Sequence, residues 1–223
     1  WQTIVDRHET RQRNQIATLA NATRNVMANE EVLLELLGRD LLFHTGPDHA
    51  RNGGVRLLDD LLELNPLVAV YLLTDTEGNV LAINSRFRNG ELPNLARLPS
   101  TMNSFEAALA SDRMVVGRPF LVEILDRWVI PLAKTIRTPD GEAAGVMTAG
   151  LYLDGANPFF APETFLGSRN TLQIVRGKDL FPLHWASELD QPEGYFERAI
   201  PREYYDRAVA SAEQRSGRDI EAI

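Results

Sequence analysis

The chain has 223 residues, 44% of them apolar, and no cysteine. This supports a packed core without disulfides and excludes thiol catalysis, thiolate metal sites and disulfide scaffolds. Its 23 basic and 31 acidic side chains give a net charge of -8, which argues against a nucleic-acid partner and against docking on an anionic membrane surface, since both need a concentrated basic face.

No apolar run reaches the about 18 residues that a membrane-spanning helix needs. The chain opens at Trp1 without an initiator Met and stops at Ile223 in mid-pattern. It reads as a piece of a longer protein, with any targeting or membrane segment outside it.

Residues 1–64 read as a helical stalk followed by packing helices. The stretch "VDRHETRQRNQIATLANATRNVMANEEVLLELLGRDLLF" holds no Pro, and no Gly before Gly38. Ile16, Leu19, Thr23 and Val26 fall at spacings of three, four and three, a narrow seam of the coiled-coil type. Ile16, Leu19 and Val26 are therefore the candidate contacts of a homodimer through the N-terminal helix. The first turns are too polar to sit in a globular core, so this helix projects, lies in a dimer or leads elsewhere. The alternative is a frayed helix packed on its own domain. "HTGPDHARNGG" predicts a loop, and "VRLLDDLLELN" predicts a short amphipathic helix with Val55, Leu58, Leu61 and Leu62 on one face, ended by Pro66.

From Leu67 the period changes to that of strands. "LVAVYLLT" and "NVLAIN" pair across the turn Asp75 to Gly78. "STMNSFEAALAS" predicts a short helix, with Ser100 or Thr101 as its N-cap. "RMVVGRPFLVEI" and "RWVIPLAKTIR" predict two further strands, "TPDGEAAG" a second turn, and "GVMTAGLYLD" a fifth strand. Antiparallel neighbours joined by short turns make this an α+β domain rather than a doubly wound one. After a Pro- and Gly-rich connector, "NTLQIVRG" and "LFPLHWA" predict another hairpin around "GKD". "IPREYYDRAVASAEQRSG" predicts a helix with Pro201 near its first turn. This second strand–strand–helix beginning echoes residues 67–110 and stops before any closing strands.

A catalytic or metal constellation does not emerge. His44 and His49 bracket "TGPD" at neither helical nor hairpin spacing, His8 lies on the polar helix, and His184 sits beside Trp185 in a predicted strand, where packing is the expected role. Neither a G-x-S-x-G elbow nor a phosphate-cradling glycine loop occurs. Asp59 and Asp60 lie opposite the leucines of their helix and read as a solvated face. The expectation is no catalytic residue, no metal and no cofactor; only turnover lost on mutating Asp154 or His184 would reopen an enzyme reading.

This ordered set resembles the double Cache family. The residues carrying the resemblance are "VYLLTDTEGNVLAINS", "VVGRPF", "RWVIPLAKTIRTPDGEAAGVMTAGLYLD" and the restart at "NTLQIV". The resemblance implies a long N-terminal helix followed by two PAS-like lobes with antiparallel sheets: a membrane-distal lobe over 65–157 and a smaller or truncated membrane-proximal lobe over 158–223. It further implies the periplasmic, extracytoplasmic sensor part of an inner-membrane receptor, tethered through segments outside this chain. The output would be a histidine kinase, favoured, or a diguanylate cyclase or chemoreceptor. A ligand-free scaffold that responds to a partner protein is the alternative.

In that family the small-molecule ligand sits in the distal lobe. By the resemblance its walls here include Phe105, Phe120, Arg127, Trp128, Tyr152 and Asp154. Arg127 and Trp128 alternate across one strand, so only one faces the pocket. Asp154 matches an acidic position that receives a ligand's amino group; it also fits a turn residue ending the strand before Gly155. Distal lobes that bind amino acids or dicarboxylates carry an Arg and a Tyr in the short helix, where the Arg fork holds a carboxylate. Aligned on Phe105 and Ala108, this chain has Met102 and Ser104 at those positions. The usual clamp is absent, and Arg86, Arg88, Arg118 and Arg127 are either replacements or exposed strand-end cations.

Overall fold

The computed structural model describes residues 2–44, 46–88, 92–153, 172–186 and 194–216. The chain divides into two compact units, one of Asn29–Ala156 and one of Trp1–Ala28 with Asn157–Ile223.

The first unit is built on one antiparallel sheet. Helix α1 (Gln2–Arg39) contributes its residues from Asn29 onward, runs directly into a π-helical turn, Asp40–His44, and is followed by α2 (Gly46–Leu64). Then come β1 (Val68–Thr74), β2 (Val80–Ile83), α3 (Met102–Leu109), β3 (Val115–Val116), β4 (Phe120–Val122), β5 (Arg127–Arg137) and β6 (Ala143–Tyr152). The sheet order is β2-β1-β6-β5-β3, with β4 also pairing β5. The α+β architecture read from the strand and turn order is the one observed.

Two local readings need correction. The segment "HTGPDHARNGG" is not a loop, because α2 already starts at Gly46 and runs through Gly53 and Gly54. Pro47 is tolerated because it falls in the first turn. Gly54 is buried, as are Val55 and Leu58, so packing outweighs the poor helix propensity of glycine. "RMVVGRPFLVEI" is not one strand. β3 pairs Val115 with Ala133, whereas β4 pairs Phe120 with Val129, a register shifted by one residue. The chain breaks between them at Gly117–Pro119, where Pro119 has no N–H to give to a ladder.

The opening hairpin is locked by its own turn. Asp75 accepts hydrogen bonds from the backbone N–H groups of Glu77 (3.0 Å) and Asn79 (2.8 Å). Gly78 has φ +84°, and a methyl carbon there would lie 2.6 Å from the backbone nitrogen of Ala96. Only glycine meets both conditions. Asn94 closes the turn from outside, donating to the Glu77 carbonyl and the Asn79 side chain.

β5 and β6 are buried almost end to end, as expected of central strands covered on both faces. Helices α1 and α2 lie on the face that holds Tyr71, Leu132, Ile136, Met147 and Ala149. A methyl carbon on Gly38 would overlap the Ile136 side chain at 2.3 Å, so the α1 backbone packs directly on that β5 side chain. Asn84, fully buried, ties α2 to the sheet: its Oδ1 accepts from the Tyr71 N–H at 2.6 Å and its Nδ2 donates to Asp59 at 3.2 Å. On the other face α3 packs through Phe105 and Ala108 against Leu72, Ile83, Ala133 and Val146. Thr101 is the N-cap position of α3, yet its hydroxyl donates to the Leu95 carbonyl at 2.8 Å instead of capping.

In the second unit β7 (Leu172–Val175) and β8 (Pro182–Ala186) form the hairpin around Gly177–Asp179, with Arg176 and Asp179 ion-paired across it. A 3-10 turn, Tyr195–Glu197, precedes α4 (Arg202–Ser216). Among the described residues this second sheet has two strands.

Candidate functional site

Strand alternation sorts the candidate residues. Val129 stands opposite Tyr152 on β6, Pro131 opposite Gly150 and Ala133 opposite Thr148. On β4, Phe120 stands opposite Val129 and Val122 opposite Arg127. Ala133 packs on Phe105, which is 3% exposed. Phe105, Phe120, Arg127 and Tyr152 therefore share the α3 face of the sheet. Trp128 takes the opposite face with Ile130. Asp154 lies outside the described residues. Of the dimer seam, Ile16 is exposed and Val26 half-buried; only the helical backbone of Leu19 is described, and Thr23, in the same spacing series, is buried.

At one end of the α3 face two arginines converge on one tyrosine. The Arg127 guanidinium lies 3.7 Å from the centre of the Tyr152 ring. Arg86 reaches the same side chain, with Nη2 3.5 Å from the Tyr152 hydroxyl, and also donates to the Ala69 carbonyl. Two of the four candidate replacement cations thus meet at one aromatic ring. A cation stacked on an aromatic face still presents N–H edges to an anion.

Where the absent clamp would stand, the helix is pressed onto the sheet. The Ser104 hydroxyl donates to the Thr101 carbonyl at 2.8 Å. A methyl carbon on Gly117 would sit 2.5 Å from the Pro131 ring and 2.9 Å from Ser104 Cβ. Serine and glycine let these elements close together, so a ring at 104 would force them apart. Met102 is exposed and points no charge inward. Further along the same face, the Thr148 hydroxyl is buried with no hydrogen-bond partner among the described residues, between Leu72 and Ala133 in the ladder.

The helix face is polar in a different way. Glu31 on α1 receives Arg113 at 3.0 Å, the Met114 N–H at 2.9 Å and Lys134 at 3.4 Å. The hydrogen bonds from Arg113, helped by Met114 and Lys134 against partial burial, hold the Glu31 carboxyl below the usual carboxylate range. Lys134, 9% exposed, also faces Glu35 at 3.8 Å and donates to the Asp112 carbonyl. Asp59 of α2 is also held low: partial burial opposes ionisation, but the bonds from Ser85 and Asn84 and the charge of Arg86 outweigh it. A cleft of about 530 Å³ opens beside these charges, lined by Val32, Leu36, Arg39, Lys134 and Arg137 among others. None of Phe105, Phe120, Arg127 and Tyr152 lines it.

Sequence reasoning did not single out Thr148, Lys134 or Glu31. The signal for Lys134 was available: a lysine inside the otherwise apolar "WVIPLAKTI" needs a buried partner. Nothing local marks Thr148, since threonine is an ordinary strand residue.

No protein-family model matches the chain, and no curated protein matches it. Solved structures do. The ligand-binding domain of Campylobacter jejuni chemoreceptor Tlp3 in complex with L-valine matches at 16% identity and TM-score 0.52, over 68% of this chain and 62% of that one. This chain thus spans less than two thirds of that domain. The ligand-binding domain of Pseudomonas fluorescens chemoreceptor CtaA in complex with L-serine matches at 15% identity and TM-score 0.62, over 93% and 81%. The sensor domain of the V. cholerae histidine kinase DctB matches at 14% identity and TM-score 0.58, over 95% and 77%. The α1 helix, the antiparallel sheet order and these likenesses together give the chain the fold of the Cache-type sensor domains of chemoreceptors and histidine kinases.

Proposed function

We propose that this chain is the extracytoplasmic, non-catalytic sensor domain of a bacterial transmembrane receptor, and that a small molecule bound on the α3 face of the large sheet is its signal. The observation that carries this reading is the gathering of Phe105, Phe120, Arg127 and Tyr152 on one face of a sheet whose fold is that of sensor domains. The Tlp3 and CtaA domains were solved with amino acids. Here the absent helix clamp shifts the charged contacts to Arg86 and Arg127, at the Tyr152 end. The ligand would favour one packing of the sheet against its helices over another. A histidine kinase is the favoured output, with a chemoreceptor or a diguanylate cyclase as the alternatives. Membrane segments outside this chain would tether it, and α1 would pair two copies.

A thermal-shift screen against metabolites tests the reading. A ligand at a hundred times its dissociation constant stabilises the fold by about 2.7 kcal/mol. The rise should vanish in Tyr152→Ala and persist in an exposed control such as Glu106→Gln. A second reading, a scaffold that answers to a partner protein, is favoured by the tight Ser104–Gly117 packing where a clamp would be; an empty screen across all classes supports it. The flanking coding sequence decides the output, through the module encoded after the next membrane span.

A further inference from the structure

Glu30 is the second residue of α1 within the sheet-bearing unit, and it is an acid 7% exposed. One carboxylate oxygen, Oε1, accepts from Asn65 Nδ2 at 2.8 Å. The same amide nitrogen donates to the Tyr71 hydroxyl at 3.0 Å. Tyr71 is fully buried on β1, and Asn65 lies in the connection from α2 to β1. The second oxygen, Oε2, is buried and has no hydrogen-bond partner among the described residues. Helix α1 is thus joined to the α2–β1 connection, 35 positions later in the chain, and to the start of β1 through one carboxyl with one oxygen unsatisfied among the described residues.

A protonated carboxyl suits this place and a carboxylate does not. A buried, unpaired negative oxygen carries a large desolvation cost, while a neutral carboxyl does not. The groups acting on it from the packed elements are Asn65, from the α2–β1 connection, and Tyr71, from β1; neither is a cation. Burial prevails over both hydrogen bonds and pushes the Glu30 carboxyl above the ordinary range, and burial with the nearby Glu30 charge pushes the Tyr71 hydroxyl up as well. The adjacent Glu31 behaves oppositely, because it faces Arg113 and Lys134.

We propose that Glu30 is a proton-operated latch: protonated, it seals the start of the docked part of α1 against Tyr71 and Asn65, and its ionisation loosens that part of the helix from the sheet. The latch does not depend on what the α3 face binds. The sign follows from linkage. A carboxyl whose docked pKa lies above its free value adds stability that is full below the free pKa and is lost as pH rises through the docked one.

Hydrogen exchange of the full 223-residue chain across a pH series tests it, after correction for the intrinsic pH dependence of exchange. Amides of residues 30–37 should open more as pH rises, by up to about tenfold per pH unit within the window between the two pKa values. Glu30→Gln, which copies the neutral carboxyl, should abolish that slope while matching the wild type at acid pH. Asn65→Ala removes a donor to the carboxylate and should move the window to higher pH. A slope unchanged in Glu30→Gln, or a window unmoved in Asn65→Ala, overturns the latch.

Discussion

Lys134 of β5 and Glu31 of α1 stand 3.4 Å apart, and the lysine is nine-tenths buried. Removing the lysine leaves Glu31 to Arg113, which is mostly exposed, and leaves the Asp112 carbonyl without its ammonium donor. We expect Lys134→Ala to cost about 2 kcal/mol, less than a fully buried pair because Glu31 keeps other donors. Urea denaturation with an unchanged m-value measures it; a cost near zero would mean that the pair merely tolerates its burial.

The Glu31 carboxyl gives a second, directional test. Its depressed pKa means that its share of stability is present above the unfolded carboxylate pKa and is lost as pH falls through the folded one. Arg113→Gln removes the largest cause of the depression. An NMR titration should find the Glu31 carboxyl moved upward, toward the ordinary range, and an unmoved value would assign the depression to Met114 and Lys134.

Gly38→Ala should destabilise the fold by about 1–3 kcal/mol, because the new methyl carbon overlaps Ile136 at 2.3 Å. Ile136→Ala removes both overlapping carbons, Cγ1 and Cδ1, and alone opens a cavity. The double variant should recover part of the loss, so a thermodynamic cycle should show clear coupling between the two sites. Additive losses would place the clash elsewhere.

Ile16 tests the dimer seam, since it is 59% exposed on α1. If two copies pair there, Ile16→Asp should shift sedimentation from dimer to monomer with no change in melting temperature at low concentration. A dimer that survives the substitution rules this seam out.

Some of the molecule was legible because its causes are local. The β1–β2 turn needs an acceptor at Asp75 and a left-handed residue at Gly78, and both are written into "TDTEGN". Pro201 and the polar run behind it place α4 in the same way. Other parts depend on distant partners. The close approach of backbone at Gly117 is set by Pro131 and Ser104, which no short window contains. Alternation said that Arg127 and Trp128 face opposite ways, but only the pairing of β4, β5 and β6 decides which of them meets Tyr152. The buried state of Glu30 was hidden by its helix, whose neighbours are polar; it requires Asn65 and Tyr71, which lie 35 and 41 positions later in the chain.

The alternation of β5 has a mechanical consequence. Thr135 holds the last turn of α3 through the Ala108 carbonyl at 2.7 Å, and its neighbour Lys134 holds α1 through Glu31. β5 is fixed in register by its ladders to β3, β4 and β6, so it moves only together with the sheet. A shift of either helix layer therefore bears on the whole sheet at one point, through two adjacent side chains that leave β5 on opposite faces.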